Sequence, residues 1–153
     1  MSEEIDLLQA ELQEAVLDEA RKIYSETVID YAMHPRNIGE IPDADGHAGV
    51  LGSCGDFMEI WLRVRNGKIA EARFWTDGCS TSIASGGMVA ELAKGKSITE
   101  ARKTSQQDVL KALDGLPPES EHCAKLAADT LKAAIRDYMT VQREPWKKAY
   151  RKS

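Results

Sequence analysis

The stretch that decides the fold is Asp56–Gly78, DFMEIWLRVRNGKIAEARFWTDG. Met58, Ile60, Leu62 and Val64 alternate with Glu59, Trp61, Arg63 and Arg65, the period of a half-buried strand. A second alternating run places Ala70, Ala72 and Phe74 on one side. Between them Arg65-Asn66-Gly67 admits two hairpin registers: a two-residue Asn-Gly turn, or a three-residue Arg-Asn-Gly loop with Gly67 left-handed. Only the longer loop pairs even-numbered residues with even, so the expected register sets Leu62 opposite Ala70, Met58 opposite Phe74 and Asp56 opposite Thr76. Carried to the open end of the hairpin, it sets Cys54 across from Cys79, neighbouring strands lying about 5 Å apart.

Outward from the hairpin, helical spacing takes over on both sides. Residues 5–32 carry Ile5, Leu8, Leu12, Val16, Ile23, Tyr24, Val28 and Tyr31 among acids, as one long helix or two broken near Ser25. The apolar stripe of the N-terminal part is expected to cover the protein's own sheet or core, with packing on a partner as the alternative. NIGEIPDADGHAG is turn chemistry leading to a short strand around Val50. After the hairpin, a helix over Ser80–Ala93 stops at Gly95, and its Ser, Gly and Ala let it lie close on a sheet. Ser97 and Ser105 open two short helices as N-caps, the second closing at Gly115. LPPES starts a final helix over about 120–142 with Cys123, Ala127, Leu131, Ala134, Ile135 and Tyr138 facing inward. The expected class is α+β: a small antiparallel sheet of about three strands, helices on one face, and long N- and C-terminal helices.

Composition narrows the function. A chain of 153 residues with 42% apolar and 29% charged residues reads as one domain, with no apolar run near the roughly 20 residues that span a bilayer. Its first residues are acidic where an export signal would be basic, so a cytoplasmic location is expected. A net charge of −5 argues against nucleic acid as a partner. The basic tail, Arg143 to Lys152, reads as a solvated end that favours the preceding helix C-terminus. His34 and His47 sit in polar loop sequence and read as surface residues, His47 being kept as a remote extra ligand. Trp61 and Trp75 fall on the otherwise charged face of the hairpin, either covered by a helix or forming a docking patch.

Three single cysteines do not make a disulfide framework. Cys54 lies in Gly52-Ser53-Cys54-Gly55-Asp56; Cys79 and Cys123 begin helices, where free N–H groups favour thiolate. If the last helix packs on the sheet, the three sulfurs converge, with Asp56 and His122 as candidates for a fourth position. Structural zinc favours short paired spacings, which are absent, whereas three thiolates and one exchangeable ligand make a labile iron-sulfur site. A thiol enzyme is disfavoured because positions 122 and 123 diverge by about 100° on a helix.

Four segments in order, YSETVIDYAMHPRNIGEI, GSCGD, FWTDGCSTSIASGGMVAELAKGK and LPPESEHCAKLAADTLKAAIRDY, carry a resemblance to the IscU/NifU N-terminal family of iron-sulfur cluster assembly scaffolds. It covers Tyr24 to Gln142, which divides the chain into an acidic helical extension (1–23), a scaffold domain (24–142) and a basic tail (143–153). The resemblance implies a non-enzymatic scaffold that builds a transient 2Fe-2S cluster on Cys54, Cys79 and Cys123. In that reading Asp56 governs assembly or release, His122 lies in the ligand sphere and Cys123 accepts persulfide sulfur. It further implies a cysteine desulfurase, an electron donor such as ferredoxin and apo-protein recipients as partners, and allows iron or zinc at the site. The related zinc-bearing sulfur acceptors, SufU-like partners of a desulfurase, are the alternative; their insertion before the last cysteine has little room in the 44 residues from Cys79 to Cys123. The family's Leu-Pro-Pro-Val-Lys chaperone sequence is replaced by Leu116-Pro117-Pro118-Glu119-Ser120, which speaks against handling by its specialised Hsp70-type chaperone.

Overall fold

The computed structural model describes residues 2–150. Arg151 and Lys152 of the basic tail lie outside the described residues. Three antiparallel strands, β1 (Gly46–Leu51), β2 (Phe57–Arg65) and β3 (Lys68–Thr76), form one sheet in the order β1-β2-β3. The described residues also form six α-helices: α1 (Ser2–Arg21), α2 (Glu26–Met33), α3 (Ser80–Ala93), α4 (Ile98–Ala101), α5 (Gln106–Ala112) and α6 (Glu121–Arg143). The α+β architecture matches the expectation from the sequence. No described helix is long and apolar enough to cross a membrane.

The hairpin corrects the expected register while keeping its logic. The chain turns through two residues, Asn66 and Gly67, with φ of 54° and 74°, the double positive φ of a type I′ turn. Val64 pairs with Ile69, but Arg63 pairs with Glu71, so Ala70 is an extra residue on β3, a β-bulge. Beyond it Leu62 faces Ala72, Ile60 faces Phe74 and Met58 faces Thr76. Even residues therefore meet even, as burial of Met58, Ile60, Leu62, Ala72 and Phe74 demands. The odd residue is absorbed in the strand, where Ala70 points outward, rather than in the turn. Asp56 consequently sits beyond the last rung instead of opposite Thr76.

α3 and α6 cover the inward face of the sheet, and their Val89, Leu131 and Ile135 complete the core. α3 can lie so near because Gly86 faces Phe74: a Cβ there would fall 2.4 Å from the Phe74 ring. Ser25 caps α2 by accepting the Val28 N–H (3.1 Å), and Ser105 closes a capping box with Asp108 on α5. Ser25 is thus the break between the two N-terminal helices.

Other expectations are overturned. α1 does not cover the core: Ile5, Leu8, Leu12 and Val16 are all exposed, Leu12 to 60%. Helix amphipathicity here has no receiving surface within the described fold. His47 is buried, stacked on Trp61 with ring centroids 4.9 Å apart, its Nε2 3.0 Å from Glu59 Oε2. Ile41 and Ala44 of the preceding loop close over Trp61, while Trp75 stays 44% exposed beside Phe57. The tail is only partly solvated: Pro145–Tyr150 forms a 3₁₀ segment, and Lys148 reaches Asp43 at 2.8 Å.

Gly86→Ala is expected to push α3 off Phe74, costing about 1–3 kcal/mol as overpacking does. Urea unfolding should show a lower midpoint at unchanged slope; an unchanged midpoint would show that this contact does not set the helix position.

Candidate functional site

The site forms where three chain ends meet: the loop before β2, the start of α3 and the start of α6. The Gly52 N–H donates to the Asp56 carbonyl at 2.7 Å and the Gly55 N–H to the Gly52 carbonyl at 3.1 Å, folding residues 52–56 into a tight loop that presents Cys54 to solvent. The other edge of the hairpin mouth is tied by Asp77, whose carboxylate accepts the Phe57 N–H at 2.8 Å. Gly78 then passes so close to Asp56 that a Cβ there would fall 2.8 Å from its Oδ2 and 2.5 Å from Ser82 Oγ. Glycine at this position keeps the two chain segments in contact.

Cys79 is the N-cap of α3, in extended conformation and exposed at the surface. Its thiol pKa is lowered, first by the Thr81 hydroxyl, against some burial, and with help from the Thr81 and Ser82 N–H groups at the helix start. Cys123 lies in the first turn of α6 but is only 1% exposed. Burial pushes its thiol pKa up, outweighing the Ser82 and Thr81 hydroxyls. The expectation that both helix starts favour thiolate therefore holds at Cys79 and reverses at Cys123, because desolvation there exceeds what the Ser82 and Thr81 hydroxyls supply.

Two hydroxyls that the sequence reading passed over join the parts. Thr81 Oγ1 stands 3.2 Å from Cys79 Sγ and 3.4 Å from Cys123 Sγ. The Ser82 hydroxyl donates to Asp56 Oδ2 at 3.0 Å and lies 3.5 Å from Cys123 Sγ. Both side chains are buried. Their signal was the pair of hydroxyl residues directly after Cys79-Ser80, which place Oγ atoms in the same first turn as the thiol.

His122 completes the group. Its Nε2 lies 3.6 Å from Cys123 Sγ, so adjacent helix positions do meet here, the imidazole reaching back over its neighbour. The angular argument against a thiol–imidazole pair thus fails. What stands against an activated nucleophile is that the Cys123 pKa is raised rather than depressed. One ligand atom each from Cys54, Asp56 and His122 also lie within 4.8 Å of one another. All five candidates from the sequence are therefore linked at one end of the hairpin. His47, held by Glu59 and Trp61, is not among them.

The donor set is two exposed thiols, one buried thiol, a carboxylate and an imidazole, with no fourth thiol to close it. Such a set suits a soft metal centre with one replaceable ligand.

Comparison with known proteins points the same way. Residues 23–145 match the NifU-like N terminal domain. The chain is 47% identical over 118 residues to "Iron-sulfur cluster assembly scaffold protein IscU 1" of Archaeoglobus fulgidus, covering 76% of each chain. It is 44% identical over 120 residues to the Escherichia coli K12 protein "Iron-sulfur cluster assembly scaffold protein IscU", covering 75% of this chain and 93% of that one. Among solved structures, a candidate cluster assembly scaffold for the SUF system from Fervidobacterium islandicum AW-1 superposes with a TM-score of 0.63 at 26% identity, over 74% of this chain and 97% of that one. On this evidence the chain belongs to the NifU-like N-terminal domain family.

Proposed function

We propose that this protein is a carrier on which a 2Fe-2S cluster is assembled as cargo and from which it is passed to apo-proteins. The observation that carries the reading is the linked set of Cys54, Cys79 and Cys123 with Asp56 and His122, bridged by Thr81 and Ser82 and left without a fourth thiol. Thiolates are the soft donors that iron-sulfur centres take, and a carboxylate oxygen is the hard donor they release first. Cys54, Cys79 and Cys123 would hold the cargo; Asp56 or His122, or a residue of a partner, would fill the remaining position.

In this reading sulfur arrives as a persulfide from a cysteine desulfurase. The Cys123 thiolate attacks the outer sulfur of the donor persulfide, the donor thiolate leaves, and the sulfur stays as a persulfide on Cys123. Burial of Cys123 means that the start of α6 must first swing outward, with Leu116–Ser120 and its two prolines as the hinge. Each sulfane sulfur must then gain two electrons to become sulfide. Ferrous iron gives only one per atom on going ferric, so with one sulfur per iron an external one-electron donor such as a ferredoxin supplies the rest. Turnover chemistry belongs to these partners.

One feature favours a second reading: the Cys54, Asp56 and His122 ligand atoms, within 4.8 Å of one another, suit zinc as they stand. A zinc-bearing sulfur acceptor for a desulfurase would use the same thiols without building a cluster.

Anaerobic incubation with desulfurase, cysteine, ferrous iron and reductant separates the two. Charge-transfer absorption that moves to an apo-ferredoxin is expected; stoichiometric zinc with no colour would sink the scaffold reading. In the same assay Asp56→Ala should lengthen the lifetime of the bound cluster by removing the exchangeable oxygen, and faster loss would instead make Asp56 a holding ligand. Mass spectrometry after desulfurase treatment should find little added sulfur on Cys123→Ser. Undiminished sulfur in that variant would reassign acceptance to Cys79, which is exposed and has the lower thiol pKa.

A further inference from the structure

Asp56 is the hard donor of the proposed site, and little holds its side chain. Its carbonyl is fixed by the Gly52 N–H at 2.7 Å, but its carboxylate pairs with no lysine or arginine among the described residues. The hydrogen bond it accepts comes from the Ser82 hydroxyl, to Oδ2 at 3.0 Å. Ser82 is fully buried in the first turn of α3, whereas Asp56 is half-buried, so the hydroxyl grips the carboxylate from the protein side.

A serine or threonine inside a helix commonly returns its hydrogen to the carbonyl four residues back. Ser85 does so to Thr81 and Thr130 to Leu126, each at 2.7 Å. Ser82 instead directs its hydrogen across to the loop before β2. A hydroxyl carries only one hydrogen, so toward Cys123 Sγ, at 3.5 Å, Ser82 can act only as an acceptor. Gly78 lets the two chain segments meet. Its N–H donates to Thr76 Oγ1 at 3.1 Å, and the Thr76 hydroxyl donates to the Phe57 carbonyl at 2.8 Å, which fixes the Gly78 backbone beside the bond. A Cβ on Gly78 would fall 2.5 Å from Ser82 Oγ and 2.8 Å from Asp56 Oδ2, against both ends of the hydrogen bond at once.

We propose, resting on the reading of Asp56 as a ligand of the site, that Ser82 is its positioning residue and acts on the metal centre through Asp56. A carboxylate held in one orientation before metal arrives loses less side-chain freedom on binding, and ligating carboxylates are ordinarily held by hydrogen bonds of this kind. Ser82→Ala leaves every ligand atom in place. It should nevertheless move each property that depends on Asp56 in the direction in which Asp56→Ala moves it, and by less.

Competition for zinc between the full chain and a chromophoric chelator tests this without any cluster. Ser82→Ala is expected to weaken zinc binding about tenfold, as loss of such a partner does at other metal sites. Gly78→Ala, which removes no donor but wedges the bond apart, should weaken it too. In an Asp56→Ala background neither change should weaken binding further, which separates action through Asp56 from action through Cys123 or from a general loss of fold. In the cluster assay the lifetime with Ser82→Ala should shift the same way as with Asp56→Ala. Unchanged zinc affinity in either variant, the same loss in the Asp56→Ala background, Asp56→Ala binding zinc as tightly as wild type, or cluster lifetimes that move in opposite directions overturns the proposal. A chain that follows the zinc pattern yet never builds a cluster upholds the role of Ser82 while the scaffold reading fails.

Discussion

The site depends on the close seating of α3 against β3. Gly86 lets the helix lie against the Phe74 ring, and Gly78 lets the connection turn without a side chain between Asp56 and Ser82. Because α3 begins only a few residues after β3 ends, its first turn must lie at the mouth of the hairpin. Helix starts expose N–H groups and carry partial positive charge. The fold thus sets a thiol, two hydroxyls and a favourable field where the loop carrying Cys54 and Asp56 emerges. α6 then needs only to pack on the sheet for Cys123 to come within 3.5 Å of Thr81 and Ser82.

The three thiols of the candidate site sit in three different environments. Cys79 is exposed and held toward thiolate, Cys54 is exposed on a loop built from glycine, and Cys123 is buried and held toward thiol. A closed structural metal site would treat its ligands alike and surround them. Here one side stays open and one donor stays hard, which suits a site that takes cargo in and gives it up.

Much of the candidate site was legible in the sequence because cysteine, aspartate and histidine carry their chemistry in their identity, and helix starts are marked by caps and prolines. The hairpin was legible in its parity: buried even-numbered residues had to meet each other. How the chain met that demand was not, since a bulge at Ala70 and a longer turn satisfy it equally and Ala70 bears no mark of its own. The Thr81 and Ser82 bridges were hidden for a related reason, as hydroxyls in a helix start read first as small residues that permit close packing. His47 was misjudged because a polar loop sequence does not announce the Trp61 ring and Glu59 carboxylate that bury it. The α1 stripe was read as core because amphipathic helices usually are; in the described fold Ile5, Leu8, Leu12 and Val16 are exposed.

The proposed function requires that Cys54, Cys79 and Cys123 share one metal centre. Iron K-edge absorption spectroscopy on the anaerobically reconstituted protein tests it most directly, since it reports the atoms bound to iron. A sulfur-dominated shell with an iron–iron distance and a minor light-atom component is expected, and loss of that signal when any one of the three cysteines is replaced by serine. A shell of light atoms alone, or a cluster signal that survives loss of one of these cysteines unchanged, would contradict it.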